Sequence, residues 1–177
     1  MTHFFQNRRA ILCFASILVA VWMSVSVASR IAAQAATKVD RILVEKSKRT
    51  LKLMDGTKTL KTYKVALGGQ PVSAKDRQGD HKTPEGIYSV DAKNPNSQFY
   101  KALHISYPNQ ADRANARKLG VSPGGDVEIH GLGAKWGWLG AKHRLTDWTD
   151  GCIALTNEEI DEIYPLIKVG TTVEIRP

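Results

Sequence analysis

Residues 39–67 read VDRILVEKSKRTLKLMDGTKTLKTYKVAL, and this stretch alternates apolar and polar side chains in three short runs. Alternation with a period of two is typical of strands that bury one face. Asp55-Gly56 stands between the second and third runs, and this dipeptide favours a tight hairpin turn. The pattern therefore predicts a three-stranded antiparallel meander, with strands over 39–44, 50–54 and 60–67.

The rest of the chain predicts further strands and two helices. Residues 109–119 are polar with spaced alanines and stop at Gly120, which is typical of a short surface helix. Thr156-Asn157-Glu158-Glu159 predicts a second helix start, because the first and fourth side chains of such a run can cap each other's backbone N–H groups. Residues 131–148 are rich in Gly and Trp and lack periodicity, so we expect an irregular segment there. Strands are expected over 86–92, 103–107, 126–130 and 172–175, which makes the fold class mainly β with two or three short helices.

Composition limits the classes of protein to which this chain can belong. It has 177 residues, of which 42% are hydrophobic and 24% charged, values that suit one globular domain. They exclude a collagen, a low-complexity disordered chain and a polytopic membrane protein. The net charge of +8 falls partly in residues 1–35, which hold three arginines and no acid, so the remainder is only mildly basic. Since no dense Lys/Arg block is present, no nucleic-acid partner is expected, whereas attraction to an anionic polymer fits.

Residues 1–35 have the layout of an export signal. Arg8-Arg9 precede an apolar run over residues 10–28, and Ala33-Gln34-Ala35 is a small-x-small pattern typical of a cleavage site. An uncleaved membrane anchor is the alternative, since a run of that length just spans a bilayer. Either outcome places residues 38–177 outside the cytoplasm, with membrane contact only through the N-terminal segment.

Cys152 is the one cysteine of residues 38–177, and exported proteins usually pair their cysteines or lack them. A lone exported thiol is therefore either an inert buried side chain or a reactive group. Gly151 allows a tight turn before it, so that two backbone N–H groups can face one oxyanion. A reactive thiol needs a base, and the candidates are His81, His104, His130 and His143. His130 ends an apolar strand and precedes a glycine that allows close approach, whereas His81 is open between a surface role and a substrate contact. No metal site is expected, because the chain has neither CxxC nor HExxH spacing.

His130-Gly131 followed by Thr149-Asp150-Gly151-Cys152-Ile153-Ala154-Leu155 resembles the catalytic signature of the L,D-transpeptidases of the YkuD domain type. The resemblance continues through residues 44–51, residues 79–88 with their Thr-Pro-Glu-Gly turn, and residues 170–175. It covers roughly residues 38–177, which are expected to form the catalytic domain as a YkuD-like β-sandwich or barrel of mixed strands. Asp150 stands where the common signature has a histidine and Ala154 where it has an arginine, which resembles a Gram-negative branch of the family.

The resemblance implies covalent catalysis without a cofactor. Cys152 would be the nucleophile, His130 the general base and acid, and the Gly131 carbonyl the group that orients this histidine. Gly151 would form the oxyanion hole together with the Cys152 N–H. The side chains expected to bind substrate are Trp138, Trp148, Thr149 and Arg144, with ordinary packing as the alternative for the tryptophans. Lys142 and Lys135 are alternatives to Arg144 for holding a substrate carboxylate. We also expect an acidic Cys152 thiol that alkylates near neutral pH.

The implied function is transfer of a peptidoglycan stem-peptide acyl group from Cys152 to an amine, during cell wall biogenesis in the periplasm or cell envelope. The acceptor would be another stem peptide or a wall-attached lipoprotein. Hydrolysis of the same links is the first alternative, since water can replace the amine, and composition does not separate the two. A non-catalytic module that binds the wall is the alternative of another class.

Overall fold

The computed structural model describes residues 38–177, and its first three strands form the expected meander. These strands are β1 (Arg41–Glu45), β2 (Thr50–Asp55) and β3 (Lys58–Lys64). β1 pairs with β2 and β2 with β3, both antiparallel, so that Ile42 lies opposite Leu53 and Leu51 opposite Tyr63. The turn between β2 and β3 contains Gly56 with φ +58°, a conformation that glycine adopts without strain.

Five more strands complete one mixed sheet in the described residues. They are β4 (Gly86–Ser97), β5 (Tyr100–Ile105), β6 (Glu128–His130), β7 (Ile153–Ala154) and β8 (Thr172–Arg176). Their order is β3-β2-β1-β8-β4-β5-β6-β7. The pairs β1–β8 and β6–β7 are parallel and the others antiparallel. Sequence alternation located every one of the longer strands, although β4 runs five residues beyond the predicted end at 92 and β6 begins at 128 rather than 126.

The two ends of this sheet meet and close it into a barrel-like form. Ala66, just after β3, exchanges two backbone hydrogen bonds with Ala154 of β7, with N···O distances of 3.1 and 2.9 Å. Ala154 has no exposed surface, and Ala66 is also buried. Closure therefore fixes the segment that follows Cys152 against the residues that follow β3.

Local capping signals place two helices as predicted. α1 (Gln110–Leu119) begins after Asn109, whose side chain accepts from two backbone N–H groups, and ends at Gly120 with φ 68°. Residues 157–163 form the later helix, whose start is capped reciprocally by Thr156 and Glu159. Its buried face packs on the core through Ile160 and Ile163.

Residues 131–148 are more regular than expected, and the prediction of an irregular segment is wrong for most of them. They contain α2 (Gly133–Trp136) and a 3-10 helix over Gly137–Leu145 that is kinked at Gly140. The later helix is accordingly numbered α3 (Asn157–Ile163). The Asn157 side chain accepts from the Leu132 N–H at 2.8 Å and so docks the segment onto α3. Such a short, kinked helix leaves no 3.6-residue period in the sequence.

The apolar core lies between the sheet and α3, and it includes Ile42, Leu51, Val90, Ile129 and Ile153. Within residues 38–177 no helix is both long and apolar enough to cross a membrane. The predicted export signal or anchor over residues 1–35 lies outside the described residues.

Candidate active site

A cleft of about 500 Å³ opens beside the end of β6 and the start of β7. His130 is the last residue of β6, and Cys152 immediately precedes β7, which pairs in parallel with β6. Parallel pairing sets Ala154 opposite His130, so Cys152 falls level with Glu128, two positions before His130 on the neighbouring strand. The residues that line the cleft include Cys152, His130, Phe99, Trp148, Thr149, His81, Asp150 and Lys75.

His130 is held in one tautomer. Its Nδ1 lies 2.6 Å from the Gly131 carbonyl oxygen, which can only accept, so Nδ1 carries the proton and Nε2 keeps a lone pair. Phe99 stacks on the imidazole with ring centroids 4.4 Å apart. The side chain is only 1% exposed, and this burial lowers its pKa to about 4 although the Gly131 hydrogen bond opposes the shift. His130 is therefore a neutral imidazole that can take a proton at Nε2.

The Cys152 thiol is half-buried and points at the strand before it. Its Sγ accepts a hydrogen bond from the Glu128 N–H at 3.4 Å, and the thiol donates to the Asp126 carbonyl oxygen at 3.7 Å. Burial raises its pKa to about 11, against a smaller opposing effect of the Glu128 N–H. The prediction of an acidic thiol is therefore wrong for this conformation, because desolvation outweighs every favourable contact. A neutral thiol next to a neutral imidazole requires proton transfer at the moment of attack.

No hydrogen bond joins Sγ to His130 in the described part of the chain. Attack with His130 as the base therefore requires Sγ to leave its contacts with Asp126 and Glu128. Hydrogen bonds of this kind often tighten only when substrate is bound.

The turn before Cys152 is braced by Thr149. The buried Thr149 hydroxyl donates to the Cys152 carbonyl at 2.8 Å and accepts from the Gly151 N–H at 3.1 Å. Gly151 has φ +129°, and a Cβ there would lie 2.6 Å from the Lys82 carbonyl oxygen. Only glycine fits this position, since both the dihedral and the close approach exclude a side chain. The expected oxyanion donor Gly151 N–H is thus engaged by Thr149 in the free protein.

A second imidazole lies at the same cleft. His81 Nδ1 is 2.6 Å from an Asp150 carboxylate oxygen, and both side chains are exposed to solvent. Sequence reasoning left His81 open between a surface role and a substrate contact. Its partner Asp150 is the residue that stands where the common signature has a histidine.

Comparison with known proteins agrees with this architecture. Residues 39–175 match the model of the YkuD family, the L,D-transpeptidase catalytic domain. The chain belongs to this family. The expectation of a mainly β, YkuD-like fold is therefore confirmed.

Three relatives illustrate the range of the family. YafK of Escherichia coli K12, provisionally named an L,D-transpeptidase, is 35% identical over 133 residues, which are 71% of this chain and 46% of YafK. The helical cell shape determining protein Pgp2 of Campylobacter jejuni is 26% identical with a TM-score of 0.61, over 77% of this chain and 47% of Pgp2. An L,D-transpeptidase of Mycobacterium smegmatis shares the fold at 15% identity and a TM-score of 0.51, over 77% of this chain and 58% of its own. The chain thus spans about half the length of YafK and of Pgp2.

The predicted substrate-binding residues of this YkuD domain are distributed unevenly. Trp148 lines the cleft and forms an edge-to-face pair with His130, with ring centroids 6.0 Å apart. Trp138 is 75% exposed, donates to the Lys135 carbonyl and does not line the cleft. Arg144 forms an ion pair with Glu159 of α3 and also lies outside the lining.

The two alternatives to Arg144 are not at the cleft either. Lys135 lies 5.0 Å from the Trp136 ring centroid, and Lys142 lines a separate cavity of about 250 Å³. The cation that does line the cleft is Lys75, whose ammonium is buried and bonded to Asp80 at 2.7 Å. Sequence reasoning missed Lys75 and Phe99, since neither lies in a recognisable motif.

No group of three His, Cys, Asp or Glu side chains within residues 38–177 is arranged to hold a metal ion. The groups gathered at the cleft are a thiol, two imidazoles with fixed tautomers, and backbone N–H donors. This set suits nucleophilic acyl transfer with proton relay.

Proposed function

We propose that this chain is a cysteine-dependent L,D-transpeptidase that acts on peptidoglycan stem peptides outside the cytoplasm. Residues 38–177 would be the catalytic domain and residues 1–35 the export signal or anchor. The observation that carries the proposal is the shared cleft of Cys152 and His130, with Nδ1 of the imidazole bonded to Gly131 and Nε2 left as a base. Membership of the YkuD family supports the substrate class.

In the first half of the reaction, His130 Nε2 takes the thiol proton as Sγ attacks the carbonyl of the third stem residue. The C–S bond forms, and the oxyanion is stabilised by the Cys152 N–H and by the Gly151 N–H once Thr149 releases it. The imidazolium then gives its proton to the leaving terminal D-alanine as the C–N bond breaks. A thioester on Cys152 remains.

In the second half, an amine of another stem peptide or of a wall-attached protein attacks the thioester. The new amide forms, and the thiol is released. Because water would complete the same cycle as a hydrolysis, the acceptor is decided by which nucleophile reaches the thioester first.

The decisive experiment incubates the protein with purified disaccharide tetrapeptide and an isotopically labelled acceptor amine, followed by mass measurement. We expect loss of D-alanine, a covalent adduct on Cys152 and label in the amide product. Cys152→Ala abolishes all three and His130→Ala lowers turnover about 10²-fold. His143→Ala, a buried histidine that lines the neighbouring cavity, is the matched control and lowers turnover less than about tenfold.

The alternatives give different results. Disaccharide tripeptide without captured label at saturating acceptor identifies a hydrolase. Retention of the muropeptide without any mass change identifies a binding module. Activity that survives in Cys152→Ala refutes the covalent mechanism.

A further inference from the structure

The His81–Asp150 pair lies at the cleft but has no role in the first half of the proposed reaction. Asp150 can only accept, so His81 Nδ1 carries the proton of their 2.6 Å contact, which leaves Nε2 as the atom with a lone pair in the neutral imidazole. This is the same tautomer that Gly131 imposes on His130. The two imidazoles differ in access, because His81 is 55% exposed whereas His130 is buried.

His81 is held in a conformation that a free loop would avoid. Its φ is +54°, in the left-handed region that non-glycine residues seldom occupy. Two contacts secure it: the Gln70 N–H donates to the His81 carbonyl at 2.9 Å, and a Cβ at Gly68 would lie 2.3 Å from that same oxygen. Strained backbone held by its surroundings is concentrated at functional sites.

The loop around His81 is organised by one buried carboxylate. Asp80 accepts from the Lys75 ammonium and from the backbone N–H groups of Asp76, Arg77 and Lys82, at 2.7 to 3.1 Å. The loop also contacts the turn before Cys152. The Lys82 carbonyl lies so close to Gly151 that any side chain at this position would collide with it. The placement of His81 relative to Cys152 is thus set by packed backbone on both sides.

We propose that His81, oriented by Asp150, is the acid–base residue that activates the acceptor in the second half of the reaction, while His130 serves the thiol and the leaving group. The inference rests on the proposed function. The buried His130 packs against Phe99 and Trp148, whereas His81 lines the same cleft and is exposed to the solvent from which an acceptor must come.

The step balances in atoms and charge. As the acceptor amine attacks the thioester carbonyl, the N–C bond forms and His81 Nε2 takes the amine proton. The C–S bond then breaks, and its electron pair leaves on Sγ as a thiolate. The imidazolium returns its proton to solvent, and the thiolate takes one from solvent, which restores the neutral thiol and the neutral imidazole.

The test measures the two halves of the reaction separately. It uses the full chain, with disaccharide tetrapeptide as donor and a labelled amine as acceptor. His81→Asn is the main variant, because asparagine tolerates the left-handed conformation and can still bond Asp150 but does not relay a proton. His104→Asn is the matched control, since His104 forms a similar pair with Asp91 at 2.5 Å outside the cleft lining. His81→Gly leaves space for added imidazole without backbone strain.

In His81→Asn we expect the first D-alanine per enzyme to be released at the wild-type rate, the adduct on Cys152 to accumulate, and amide formation to fall by about 10². Imidazole should restore amide formation in His81→Gly, and His104→Asn should behave as wild type. Amide formation within about threefold of wild type in His81→Asn overturns the inference. So does equal slowing of both halves without imidazole rescue, which indicates a role in loop shape only. Failure of the wild-type protein to form any adduct refutes the proposed function itself, and this inference with it.

Discussion

Replacing Asp80 with asparagine should destabilise the protein by about 2 kcal/mol at pH 7, because one carboxylate satisfies four donors in the loop that carries His81. Burial alone would raise the pKa of Asp80, but the hydrogen bonds from Lys75 and from three backbone N–H groups outweigh it and lower the pKa from 3.8 to about 2. A shift of this size corresponds to about 2 kcal/mol of stabilisation of the folded state. The asparagine amide presents one oxygen and one NH₂ group, so either orientation leaves two donors without an acceptor.

The pH dependence has a definite sign. A carboxylate whose pKa is lowered on folding stabilises the native state above its unfolded pKa, and this contribution is lost as the pH falls toward the folded pKa. The wild-type advantage over Asp80→Asn should therefore be complete at pH 7, fall by about 1 kcal/mol by pH 3 and be nearly gone at pH 2.

Urea unfolding followed by tryptophan fluorescence measures this difference at each pH. Asp76→Asn is the matched control, since Asp76 lies in the same loop but is exposed and pairs with Lys82 at 3.2 Å. Its removal should cost less than about 1 kcal/mol. Two results would refute the hydrogen bonds to the Asp80 carboxylate as the source of this stability. One is an equal loss of unfolding free energy for both variants at pH 7, and the other is a loss for Asp80→Asn that stays constant down to pH 2.

Three further perturbations test other parts of the site. Gly151→Ala should cost about 1–3 kcal/mol and abolish turnover, because its Cβ would meet the Lys82 carbonyl, whereas Gly125→Ala, with open space around it, should leave the urea midpoint unchanged. Iodoacetamide labelling of Cys152, followed by mass spectrometry, should accelerate about tenfold per pH unit from pH 7 to pH 10, since the thiol pKa is about 11; a plateau below pH 8 contradicts this. Phe99→Ala should lower kcat about fivefold through the lost stacking on His130, a contact worth about 1 kcal/mol, and an unchanged kcat would assign Phe99 to packing alone.

The elements predicted best from sequence are those whose signals are local. The meander follows from alternation and from Asp55-Gly56. Helix α1 follows from spaced alanines that stop at Gly120, and α3 from Thr156 and Glu159, which act within one turn of the chain. Residues 131–148 escaped prediction because their helices are short, kinked and stabilised by Asn157 from another element. Propensity and periodicity do not record such long-range contacts.

At the site, too, residues in local motifs could be predicted and residues brought in by long-range packing could not. Cys152, His130 and Gly131 could be singled out because they stand in two short motifs, and the structure places all three at or beside the cleft. Lys75 and Phe99 reach it only through tertiary packing, and the raised pKa of the thiol is a property of burial that no local pattern contains. Arg144 was predicted at the cleft from its position in the chain, but its guanidinium forms an ion pair with Glu159 instead.

The place of β8 in the sheet has a consequence for biosynthesis. Its residues come last among the strands in chain order, yet it lies between β1 and β4, pairing in parallel with one and antiparallel with the other. Until residues 172–176 have been synthesised, the β1–β3 meander lacks the strand that joins it to β4, and only the Ala66–Ala154 pairing can connect it to the other strands. Pairing of segments so distant in the chain also slows folding. The complete sheet of residues 38–177 can therefore form only after its last strand has been synthesised.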